Sequence, residues 1–136
     1  MLLKNLIKNI SVNWKNIEVS GLSTNSHEVK RNYIFFAIRG NRLNGENFIN
    51  DAIDNGASVI VCSKKSSYKN KEVPVIKTDN IRYLLSEISA KFYKLKPKNI
   101  FAVTGTNGKT SVADIFYQIL RINKIPAASI GTLGIK

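Results

Sequence analysis

The chain has 136 residues, 43% hydrophobic and 22% charged, enough for one core or for a small domain plus the beginning of another, and too few for a large two-substrate enzyme. No apolar run approaches the roughly 20 residues that cross a bilayer, which excludes a membrane span. The formal charge of +12 comes with lysines scattered from Lys4 to Lys136, a distribution that favours anionic small molecules over a dedicated nucleic-acid surface, where cations cluster and alternate with aromatics.

In chain order, Met1 to Ile10 sets two lysines among leucines and isoleucines, without a continuous apolar stretch or a small-residue cleavage site, and is expected to form a short amphipathic helix. Ile17–Thr24 and Tyr33–Ile38 have the alternation and β-branched or aromatic density of strands. The polar, turn-prone Asn25–Asn32 and the glycine-flanked Gly40–Gly45 follow them, and these two loops are placed to face one ligand. Phe48, Ile49, Ala52 and Ile53 recur at helical spacing, with Gly56 as the stop. Val59–Val61 and Val73–Ile76 read as apolar strands. The single cysteine, Cys62, sits in Ala57-Ser-Val-Ile-Val-Cys62 and is expected to be a buried strand residue, not a nucleophile. Asp79 or Asn80 caps a helix whose apolar face is Ile81, Leu84, Leu85, Ile88 and Phe92. Lys94–Lys98 is the expected domain boundary. Beyond it, Asn99–Thr104 reads as a buried strand, Val112, Ile115, Phe116, Ile119 and Leu120 as the inward face of a helix, and Ala127–Ile130 as a second parallel strand of a βαβ unit.

Between that strand and helix lies Gly105-Thr-Asn-Gly-Lys-Thr-Ser111. A loop that opens a helix offers unpaired backbone N–H groups and the positive end of the helix dipole, both favourable to phosphate. Gly105 and Gly108 let the main chain approach the ligand, Lys109 supplies a point charge for the β/γ-phosphates, and the Thr110 hydroxyl is a ligand for Mg²⁺. Thr106, Asn107 and Ser111 complete the ATP-binding set, with Asn107 and Ser111 as supporting donors. The pattern is the shorter G-x-x-G-K-T, because Val103 stands where the longer phosphate-loop pattern has glycine.

Thr104-Gly-Thr-Asn-Gly-Lys-Thr-Ser111 resembles the form of this loop in the Mur ligases, which join amino acids or a dipeptide to a uridine-diphosphate-linked muramoyl precursor. Thr24-Asn-Ser-His27, Tyr33-Ile-Phe-Phe-Ala-Ile-Arg-Gly40, Asn44-Gly45, Phe48-Ile49 and Ala52-Ile-Asp-Asn-Gly-Ala57 are similar to the family's amino-terminal pattern, so the resemblance spans nearly the whole chain. Within the family it is most similar to the ligases that add the third peptide residue, diaminopimelate or lysine, to UDP-N-acetylmuramoyl-L-alanyl-D-glutamate. The D-alanyl-D-alanine-adding ligase is the alternative within the family, and a basic nucleotide- or nucleic-acid-binding module is the alternative outside it.

The resemblance implies an α/β fold. Residues 1–96 would be a small amino-terminal domain binding the UDP-muramoyl substrate, and residues 97–136 the truncated start of a central ATP-binding domain with a P-loop parallel sheet. It further implies that Thr24, Ser26, Asn41, Arg42 and Leu43 contact the uridine nucleotide, with Arg42 matched to a pyrophosphate through its planar donor fork. ATP and Mg²⁺ are the implied cofactors, with Lys109 and Thr110 as catalytic groups. UDP-muramoyl dipeptide and an amino acid are the implied partners, with no nucleic acid and no membrane span, in the bacterial cytoplasm. Two departures stand out: Asn25 replaces the family's Asp, and His27 its Arg. These 136 residues alone are not expected to turn over.

Overall fold

The computed structural model describes residues 1–8 and 10–136, and the chain divides into two compact units, Met1–Lys96 and Pro97–Lys136. The first unit is built on four parallel strands, β1 (Gly21–Ser23), β2 (Tyr33–Phe36), β3 (Ala57–Ser63) and β4 (Val75–Thr78), which lie in the sheet in chain order. Parallel strands need crossover connections, and those connections cover both faces of the sheet. Alternation along β2 and β3 therefore sends apolar side chains both ways. Ile34, Phe36, Val59 and Val61 face one core, which also contains Leu3 and Leu6 of α1 (Leu3–Leu6) and Ile88 of α3 (Ile81–Phe92). Phe35, Ala37, Ile60 and Cys62 face the other, with Ile49 and Ala52 of α2 (Ile49–Asp54). Cys62 is buried there, as a strand residue should be, and desolvation lifts its thiol above the ordinary value of 9.0.

Local chemistry sets the element ends. Asn80 caps α3, its side chain accepting the Tyr83 N–H at 3.0 Å. Gly56 turns the chain out of α2 with φ of +103°, and a Cβ there would lie 2.9 Å from the Arg31 Cα, so both conformation and space demand glycine. The fourth strand begins two residues later than its apolar run predicts, because the Asn70 side chain accepts the amides of Glu72 (2.8 Å) and Val73 (3.0 Å) and holds Val73 in a turn.

Four expectations are corrected. The amino-terminal helix is a single turn: Ile7 is extended, and the segment instead pairs with residues 15–19, through Leu3 N–H to the Ile17 carbonyl (2.9 Å) and Val19 N–H to the Met1 carbonyl (2.7 Å). Asn9, inside the expected helix, lies outside the described residues. That pairing also leaves only Gly21–Ser23 of the Ile17–Thr24 stretch to join the sheet.

The other two corrections concern the second unit. Asn99–Thr104 forms no strand, and Ile100 and Phe101 are 79% and 69% exposed. Ala127–Ile130 is not a parallel strand either: β5 (Ile130–Gly131) pairs antiparallel with β6 (Gly134–Ile135) in a short hairpin. A parallel ladder needs covered neighbours, and this unit of the described residues supplies one helix, α4 (Lys109–Ile122), whose Val112 and Ile115 are 54% and 56% exposed. Within the unit, Phe101 rests edge-on against Phe116 with ring centroids 5.2 Å apart.

Candidate functional site

All four strands of the first unit point the same way, so the connections after β1, β2, β3 and β4 emerge from one edge of the sheet, the edge where open parallel sheets hold their ligands. The expected contact residues occupy the first two of these connections. After β1, the Ser23 hydroxyl donates to the Asn25 carbonyl (2.9 Å) and accepts the Asn25 N–H (3.0 Å), and Asn25 Oδ1 accepts the His27 N–H at 3.1 Å. This network caps a 3₁₀ turn over Ser26–Glu28. The replacement of Asp by Asn therefore keeps a capping oxygen, since either side chain supplies one. Thr24 is exposed, whereas Ser26 is only 4% exposed and its carbonyl accepts Asn55 Nδ2 at 3.0 Å, which ties the loop to the end of α2. His27 is exposed, and no cluster of three potential metal ligands occurs among the described residues.

After β2 the chain folds into a small hairpin. Arg39 bridges to Asn44, and the Gly40 N–H reaches the Leu43 carbonyl at 2.9 Å, which leaves Asn41, Arg42 and Leu43 exposed at the tip. Gly45 closes the hairpin where a Cβ would lie 2.6 Å from the Ile38 carbonyl oxygen, so the backbone approach excludes a side chain.

Beside this hairpin lies a cleft of about 400 Å³, open along the ends of β2, β3 and β4 and lined by Arg39, Asn44, Lys65, Asp79 and Arg82 among others. None of the five expected uridine contacts lines it. Arg39 and Asn44 lie in segments that carry the family resemblance but were given no site role, and Lys65, Asp79 and Arg82 belong to none of those segments. Their signal was positional, each falling within a few residues of a strand's carboxyl end.

In the second unit, Gly105 (φ +149°) and Gly108 (φ +73°) both adopt backbone conformations that favour glycine, and Gly108 is the residue before the first turn of α4. The first bond of that helix runs from the Val112 N–H to the Gly108 carbonyl at 2.9 Å, so the amides of Lys109, Thr110 and Ser111 precede the ladder. Lys109 Nζ curls back to the carbonyls of Gly105 and, at 3.1 Å, Thr106. Residues 105–111 are all exposed, and a Cβ at Gly108 would meet nothing within 4 Å, so the main chain there is open to solvent. Thr110 fits a Mg²⁺ site as a single protein hydroxyl, in keeping with a cation that takes few protein ligands and completes its shell with phosphate and water.

A parallel α/β unit with its loops gathered at one end of the sheet, joined in sequence to a glycine-hinged loop that opens a helix, defines an α/β protein. The sequence profile described as "Mur ligase family, catalytic domain" matches residues 18–93, more than half of the chain. The chain belongs to the Mur ligase family.

A Rickettsia typhi protein named UDP-N-acetylmuramoyl-L-alanyl-D-glutamate–2,6-diaminopimelate ligase is 42% identical over 129 residues, covering 94% of this chain and 26% of the relative. A Brucella melitensis protein of the same name is 39% identical over 119 residues, 88% of this chain and 24% of that one. The chain thus spans about a quarter of the length of these curated relatives. A solved structure of a UDP-N-acetylmuramoyl-L-alanyl-D-glutamate–2,6-diaminopimelate ligase, 23% identical, covers all of this chain with 28% of its own and a TM-score of 0.74. The MurF ligase of Thermotoga maritima in complex with ADP is 26% identical, with a TM-score of 0.59 over 74% of this chain and 23% of its own. The α/β fold is therefore the one these ligases share.

Proposed function

We propose that the chain is the substrate-binding front of an ATP-dependent ligase that adds the third residue, diaminopimelate, to UDP-N-acetylmuramoyl-L-alanyl-D-glutamate in the bacterial cytoplasm. The observation that carries this reading is the glycine-hinged loop at residues 105–111 in a chain 42% identical to a relative named for that reaction. The name also favours diaminopimelate over lysine, and the third-residue ligase over its D-alanyl-D-alanine-adding counterpart.

In this reading the first unit, residues 1–96, holds the UDP-muramoyl dipeptide, with Thr24, the Ser26 turn and the Asn41–Leu43 tip around the uridine. The second unit, residues 97–136, begins the ATP site. A substrate carboxylate oxygen bonds to the γ-phosphorus as the β–γ bridge breaks, ADP leaves, and the incoming amine then displaces phosphate and gives up a proton to form the amide. The chain's own part is positioning and charge neutralisation. The amides of residues 109–111 hold phosphate oxygens, and Lys109 exchanges its loop carbonyls for the β/γ-phosphates. Bound through Thr110, Mg²⁺ would supply further charge neutralisation on the transferring phosphate.

Calorimetric titration of the chain with UDP-N-acetylmuramoyl-L-alanyl-D-glutamate tests the reading: saturable one-to-one binding is expected. Tight RNA binding that weakens steeply with salt, with no response to the uridine ligand, would support a nucleic-acid module instead.

A further inference from the structure

We propose that the side of the first unit formed by the amino-terminal segment and the end of α3 is a docking surface for an anionic lipid bilayer, held by lysine charge and by exposed apolar side chains. The first support is that the fold gathers charge that the sequence scatters. The Lys4 N–H donates to the Lys15 carbonyl at 3.2 Å, and Lys91 Nζ donates to the Leu6 carbonyl at 2.8 Å across 85 residues of chain. Leu3 and Leu6 of α1 share one core with Ile88 and Phe92 of α3, and Trp14 packs on the same core. Lys4, Lys8 and Lys15 are thereby brought to the same side of the sheet as Lys91, and Lys94 and Lys96 continue from the end of that helix.

The second support is that this charge is not neutralised. All six lysines are exposed, and among the described residues none has an acidic partner within 4.0 Å. The sequence has no Asp or Glu before Glu18 and none between Glu87 and Asp114, so Glu18 and Glu87 are the carboxylates that flank the surface. A cluster of unpaired lysines is drawn to the negative surface potential of an anionic leaflet, and the attraction weakens as salt shortens its range.

The third support is what stands among the lysines. Val12, between Lys8 and Lys15 in the chain, is 76% exposed, and Tyr93 and Leu95, on either side of Lys94, are 57% and 96% exposed. Apolar side chains of this kind enter the boundary between headgroups and acyl chains while lysine stems lie along it and keep their ammonium groups among the lipid phosphates. The same composition separates lipid from nucleic acid. None of the six cations is an arginine, whose planar fork reads phosphates and base edges, and the aliphatic Val12 and Leu95 offer a base no ring to stack on. No helix among the described residues is long and apolar enough to cross a membrane, so the contact is peripheral.

The experiment is co-sedimentation of the chain with vesicles of phosphatidylcholine alone and with vesicles in which about a third of the lipid is phosphatidylglycerol, at low and at high salt. The parent is expected to bind the anionic vesicles and not the neutral ones, less tightly as salt rises. Lys8→Gln/Lys15→Gln/Lys94→Gln should weaken that binding about 10–100-fold, and Val12→Ser/Leu95→Ser about ten-fold at either salt. Lys30→Gln/Lys69→Gln/Lys71→Gln removes the same charge beside Val29 and Tyr68, which pack in the opposite core, and should cost about three-fold at most. Unchanged thermal midpoints would show that these exposed substitutions leave the fold intact. Failure of the parent to bind anionic vesicles at low salt overturns the proposal. So does an equal loss in the two lysine variants, which would make net charge the cause, or full binding by Val12→Ser/Leu95→Ser. Binding of polyuridylate with the same dependence on Lys8, Lys15 and Lys94, without binding of vesicles, would make the surface a nucleic-acid site and overturn it as well.

Discussion

At the scale of single residues, glycines constrain this chain for two unlike reasons. Gly108 has open space around it and a left-handed backbone, so only conformation excludes a side chain. Gly108→Ala should cost about 1–2 kcal/mol of the loop's bound geometry and weaken Mg-ATP binding roughly ten-fold, with Gly108→Asn milder because Asn tolerates that region. Equal Mg-ATP affinities for all three proteins would contradict it. Gly21 is the opposite case: its φ is ordinary, but a Cβ would lie 2.3 Å from the Tyr33 ring. Gly21→Ala should lower the stability of the first unit by about 1–3 kcal/mol, read as a shifted urea midpoint, while leaving Mg-ATP binding unchanged.

Cys62 adds a pH dependence with a definite sign. Its folded thiol is held above 9.0 mainly by desolvation, so the folded state keeps the proton longer than the unfolded one. The stability this contributes is fully present below 9.0 and is lost as pH rises through the higher folded value. Cys62→Ala should therefore show a smaller fall in urea midpoint between neutral and strongly alkaline pH than the parent, and an identical fall in both would refute the assignment.

At the scale of elements, what was legible depended on whether local chemistry or distant partners decide the structure. The helix Ile81–Phe92 was readable together with its cap, because the Asn80 side chain and the apolar spacing act within a few residues. Asn80→Ala should remove about 1 kcal/mol from the first unit, visible in urea unfolding. The strands Tyr33–Phe36 and Ala57–Ser63 were readable because both faces are buried and their apolar runs are dense. The Asn99–Thr104 segment has the same composition and no ladder, since a strand is stabilised by neighbours that residues 97–136 do not bring. The amino-terminal helix failed for a related reason: its backbone groups found partners at residues 15–19, a pairing that no local pattern announces.

At the scale of the whole molecule, the site divides in the same way. The proposed phosphate loop rests on seven adjacent residues whose spacing carries their chemistry, and what the structure adds is the positive φ of Gly105 and Gly108 at the start of α4. The cleft was not legible, because Arg39, Lys65 and Arg82 come together only through the parallel order of β2, β3 and β4. The two units also differ in how much they bury. The first contains every buried residue of the described structure, whereas the large apolar side chains of α4 stand largely exposed. Amide hydrogen exchange should accordingly be slowest in β2 and β3 and fast through residues 99–107; comparable protection in both segments would show that Asn99–Thr104 is paired after all.

The most direct measurement is an amide NMR titration of the chain with UDP and, separately, with Mg-ATP. UDP should shift Thr24, the Ser26 turn and Asn41–Leu43 while leaving residues 105–111 in place, and Mg-ATP should do the reverse. Shifts from both ligands on one common set of residues, or none at residues 105–111 with saturating Mg-ATP, would contradict the account.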